Sequence, residues 1–139
     1  MKTADANYTL SAVYTILRLT FGLVPIVAGL DKFTNLLTHW EDYLNPAIVN
    51  ILPVSGHIFM MIVGVIEIIA GIIVLLKPSV GAYIVMAWLI CIALNLIASG
   101  RFFDVAVRDL VMAISSFCLA KIAQVVPEKN IHNVHVQTA

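Results

Sequence analysis

Leu17-Arg18-Leu19-Thr20-Phe21-Gly22-Leu23-Val24-Pro25-Ile26-Val27-Ala28-Gly29-Leu30-Asp31-Lys32-Phe33 decides the fold. It reads as a membrane-spanning helix with an arginine part-way along and an acid–base pair at its exit. Arg18, Gly22, Pro25 and Gly29 follow at steps of four, three and four, which place them on one stripe of an α-helix. A stripe of small residues carrying one charge suits close contact with another helix rather than lipid.

Working outward, three further segments have the roughly 20 apolar residues that cross a bilayer, so the candidate spans are 11–30, 57–76, 80–98 and 105–125. Composition agrees: of 139 residues, 61% are hydrophobic and only 12% charged, about half the charge of a typical soluble domain. Eight basic and eight acidic side chains cancel, which argues against a nucleic-acid partner. The expectation is an all-α integral membrane protein. It is a single four-transmembrane-helix bundle over residues 1–126, with a polar tail at 127–139 carrying His132 and His135. No short apolar core with a small-residue cleavage site opens the chain, so a removed signal peptide is not expected. Lys77-Pro78-Ser79 makes spans two and three a tight hairpin. Lys2, Lys77, Lys121 and Lys129 lie on one side and Lys32, Arg101 and Arg108 on the other, favouring cytoplasmic termini.

Between the first two spans, Phe33, Leu36, Leu37, Trp40, Leu44, Ile48, Ile51 and Leu52 recur at helical steps, interrupted at Asn45-Pro46 and stopped at Pro53. This pattern predicts an amphipathic interfacial segment capping the bundle, with Trp40 and Tyr43 at the headgroup level. In span two, Glu67 sits between Gly64 and Gly71, again on a small-residue stripe. Arg18 and Glu67 both fall near mid-membrane, where an unpaired charge costs about 2.5–3.5 kcal/mol, and their antiparallel helices invite pairing. They form the expected buried polar centre. Asp31, Lys32, Arg108 and Asp109 form an expected outer polar cluster. Gly22, Gly29, Gly64 and Gly71 are read as helix-packing residues. Cys91 and Cys118 lie in apolar segments without a CxxC, and His57 has no second imidazole at a matching depth. No metal site and no haem site are therefore expected.

Leu17-Arg18 with Gly22, Gly29 and Asp31-Lys32-Phe33, then Glu67 with Gly71, then Arg108-Asp109, resemble the DoxX family of small four-helix bacterial membrane proteins, over residues 12–125. The resemblance implies a cytoplasmic (inner) membrane location and a redox-associated role beside the quinone pool, since the family is named for a subunit of a thiosulfate:quinone oxidoreductase. On that reading quinone binds at the Arg18–Glu67 centre. The chain shows no flavin, haem, iron–sulfur or thiol motif of its own, so electrons would come from a partner protein and the chain is at most a subunit of an oxidoreductase. The alternatives are a non-enzymatic scaffold or assembly subunit of a larger membrane complex, a homo-oligomer among them, and a small lipid- or solute-binding carrier.

Overall fold

Two glycines on the first helix face two on the third, and this seam sets the register of the molecule. In the computed structural model, which describes residues 2–126, α1 runs over Lys2–Asp31, α2 is a single turn at Pro46–Val49, and α3, α4 and α5 run over Gly56–Leu76, Pro78–Ser99 and Phe103–Val125. No strand is present among the described residues. The tail, with His132 and His135, lies outside them. A Cβ on Gly29 would meet the Gly64 carbonyl oxygen at 2.5 Å, and one on Gly64 would meet that of Gly29. Gly71 stands in the same relation to the Gly22 carbonyl. The contacts advance seven residues along α1 while retreating seven along α3, as antiparallel neighbours must. With glycine at both crossings the backbones touch, the packing expected in lipid, where apolar surface alone does not drive helices together.

Three helices are long and apolar enough to cross a membrane: α1 from Thr3 to Asp31, α3 and α4. The fourth predicted segment is also a helix, but Asp104, Arg108, Asp109 and Lys121 leave it too charged to qualify by composition. α1 begins earlier than the apolar run suggested, the polar residues from Lys2 to Tyr8 continuing the same helix. Asp5 lies in its first turn, where a carboxylate suits the helix dipole. α1 packs against α3, α3 against α4, α4 against α5, and α5 back against α1. One apolar cluster gathers Tyr14, Phe21, Val74, Ala82 and Leu119 toward the chain termini; a smaller one gathers Ala93, Leu96 and Ala106 toward the α1–α3 loop.

That loop departs from the amphipathic helix its pattern predicts. Only two single turns form, a 3-10 turn at Trp40–Tyr43 and α2. The Asp31 carboxylate accepts the Leu36 and Leu37 N–H groups, Asn35 takes a left-handed conformation (φ 51°), and Asn45 Oδ1 accepts the Ala47 N–H. These side chains take backbone donors that a continuous helix would need. The loop does cover the helix ends. Leu44 is buried against Gly56, the Tyr43 ring lies 4.6 Å from that of Phe102, and Asn95 Nδ2 donates to the Tyr43 carbonyl at 3.4 Å.

Candidate functional site: a buried lysine–carboxylate centre

α3, α4 and α5 each send one polar side chain into the layer between the two apolar clusters, and the residue after α1 adds a fourth. Gly81 meets the backbone of Val74, and Ser116 Oγ donates to the Ala82 carbonyl at 2.8 Å. Carried along the antiparallel helices, these contacts bring Glu67 of α3, Trp88 of α4 and Asp109 of α5 to one level. Trp88 Nε1 accordingly donates to Glu67 Oε1 at 3.4 Å. Lys32, just past the end of α1, completes the layer with its Nζ 2.6 Å from Glu67 Oε2. Lys32, Glu67 and Asp109 are all buried, and so is Asp31.

Lys32 also lies 3.6 Å from the centroid of the Trp40 ring, a cation–π contact that holds the ammonium from its other side. Trp40 Nε1 donates to Asp31 Oδ2 at 2.8 Å. Trp40 therefore turns inward over the ion pair, and Tyr43 packs on Phe102. Asp31 accepts from Thr34 Oγ1, two backbone N–H groups and this indole, so its charge is met by four donors. Asp109 makes no hydrogen bond or ion pair among the described residues, although it lies within electrostatic reach of Arg108 and of Glu67.

Arg18 and Glu67 do not pair. Arg18 donates through Nε (3.0 Å) and Nη2 to the carbonyl of Leu75 in the last turn of α3, where helical carbonyls lack intrahelical partners and a cation suits the dipole. In the glycine register Ile26 stands opposite Glu67, so Arg18 is displaced from it by eight residues, about 12 Å along the axis. Helical side chains also lean toward their own N-terminus. Arg18 and Glu67 lean apart along antiparallel helices, whereas Lys32 and Glu67 lean together. The expected outer cluster divides for a related reason: Asp31, Lys32 and Asp109 point inward, while Arg108 is exposed and unpaired among the described residues.

The four glycines take the packing roles expected of them. Cys91 and Cys118 are free and exposed, and His57 Nδ1 lies 2.6 Å from Glu41 Oε1, fastening the loop to the start of α3. Among the described residues no group of His, Cys, Asp and Glu is placed to hold a metal ion. Trp88 lies seven residues before Asn95, hence on the same face, and that spacing was the signal available for its part in the site. Nothing in the spacing joined Glu41 to His57. No family model, curated protein or solved structure matches the chain.

Proposed function

We propose that the chain is a DoxX-type four-span protein of the bacterial cytoplasmic membrane. It serves as the redox-associated subunit of a larger complex, with a quinone headgroup received at the Lys32–Glu67 centre rather than at Arg18. The observation that carries this reading is one buried lysine with carboxylates from α3 and α5, beneath an indole and beside another, at the end where a loop covers the helices. Such residues fit a planar polar ring: an ammonium donates to a ring oxygen, a carboxylate accepts from a ring hydroxyl, and indole faces stack. Bound quinone would supply two-electron chemistry, with electrons delivered by a partner protein. The chain's own part is to orient the ring and hold protons nearby.

On this reading α5 is the fourth span and the α1–α3 loop lies at the membrane surface, with Leu36, Leu37 and Ile51 outermost. One observation favours the scaffold instead. The Arg18–Leu75 and Lys32–Glu67 contacts each tie α1, or the residue just beyond it, to α3, as purely structural bonds would. Mass spectrometry of gently solubilised wild type and Glu67→Gln separates the two. Quinone retained by wild type and lost from a folded Glu67→Gln supports the redox subunit. Absence of quinone, with a stoichiometric protein retained by both, supports the scaffold.

A further inference from the structure

The buried centre is unbalanced. Among the described residues it holds one cation, Lys32, against three carboxylates, Asp31, Glu67 and Asp109. Asp31 is satisfied as an anion by its four donors, and Glu67 by the Lys32 ammonium at 2.6 Å. Asp109 is left over. It is only 8% exposed, on the face of α5 that also buries Ala106, Ala113 and Ser116. The charged groups within its electrostatic reach are Arg108 on its own helix, which is exposed, and Glu67 from α3; Lys32 beyond α1 and the uncharged Trp88 indole from α4 are both committed to Glu67. Two buried carboxylates within electrostatic reach of each other, with the Lys32 ammonium committed to Glu67, cannot both stay charged cheaply in a low-dielectric interior. No set of ligands for a metal ion is present among the described residues.

We infer that this centre is a binding site for one exchangeable proton, carried by Asp109 as a carboxylic acid beside the Lys32–Glu67 pair. Protonation removes a buried charge for which Glu67, an acceptor, and the Trp88 N–H, which donates to Glu67, supply no donor. Lys32 lies 2.6 Å from Glu67 and is committed to that carboxylate, which leaves Asp109 to carry the proton. The site does not depend on quinone binding, because its ligand is the proton alone.

Infrared difference spectroscopy of the purified, detergent-solubilised full chain tests this through the C=O stretch of protonated carboxyls at neutral pH. The expected result is one protonated carboxyl per chain in wild type and none in Asp109→Asn. Carboxyl-13C aspartate should shift the wild-type band and labelled glutamate should not, which excludes Glu67 as the carrier without a variant if Asp109→Asn fails to fold. A wild-type spectrum without the band, a band that persists in Asp109→Asn, or one that moves with labelled glutamate overturns the inference. Quinone content, measured separately, bears only on the proposed redox role.

Discussion

Lys32 and Glu67 make the ion pair on which the centre rests, and deleting one partner strands the other in a buried layer. Breaking such a pair from one side typically costs about 3–5 kcal/mol, whereas replacing both partners by apolar residues is often close to neutral. Lys32→Met and Glu67→Leu should therefore each lower resistance to denaturant more than the Lys32→Met/Glu67→Leu double variant does. Arg18 provides the contrast. Arg18→Leu removes charge-assisted bonds to a carbonyl and should cost about 1.5–3 kcal/mol. Because Arg18 and Glu67 belong to separate contacts, a double-mutant cycle between them should give a coupling below about 0.5 kcal/mol. A coupling of several kcal/mol there would put the ion pair back where the sequence alone suggested it. That both side chains needed buried partners was legible, since each is a charge amid apolar residues. Which partner each takes was not, because the choice depends on helix register and on the direction in which side chains lean.

The glycine seam and the loop are the elements that hold this register. Gly22 and Gly71 face each other but should not be equally intolerant of a methyl group. A Cβ on Gly71 strikes the Gly22 carbonyl, which moves only if α1 moves; a Cβ on Gly22 strikes the Leu75 side chain, which can rotate away. Gly71→Ala should fall in the range of about 1–3 kcal/mol typical of overpacking and Gly22→Ala clearly below it, by equilibrium unfolding. The seam was legible because steps of three and four between glycines have one helical meaning. The loop was legible only as a cap, since its period fits a helix whose N–H groups are taken by Asp31 and Asn45. Its latch, Glu41 with His57, gives it a pH dependence. The Glu41 carboxyl is held below its ordinary 4.5 by its own backbone N–H and by His57. A carboxyl depressed in the folded state contributes stability above its ordinary value and loses it as pH falls through the depressed one. Amide protection in residues 33–55, taken relative to the intrinsic exchange rate at each pH, should thus fall on acidification below about pH 4.5 in wild type, and change less in Glu41→Gln. Identical profiles would remove Glu41 from the latch.

At the scale of the whole molecule the open matter is α5, which composition alone does not qualify as a span. Packing points the other way. Ser116 meets Ala82 near one end of α4, and Ala106 joins Ala93 and Leu96 toward the other, so α5 lies along most of the length of α4. On the proposed four-span reading, a helix that accompanies a span over that distance shares its bilayer. The charges are placed to permit it: Asp104 and Arg108 stand near one end, Lys121 near the other, and Asp109 faces inward. Long basic side chains near helix ends reach the interface. The outward residues Val107, Val111, Ile114 and Phe117 are apolar and exposed, as a lipid-facing stripe must be. Four spans put the start of α1 and the end of α5 on the same side of the membrane, whereas three put them on opposite sides. Single cysteines introduced at Thr3 and at Gln124, in chains with Cys91 and Cys118 replaced by alanine, should react with a membrane-impermeant maleimide from the same face of sealed vesicles. Labelling from opposite faces would leave α5 outside the bilayer.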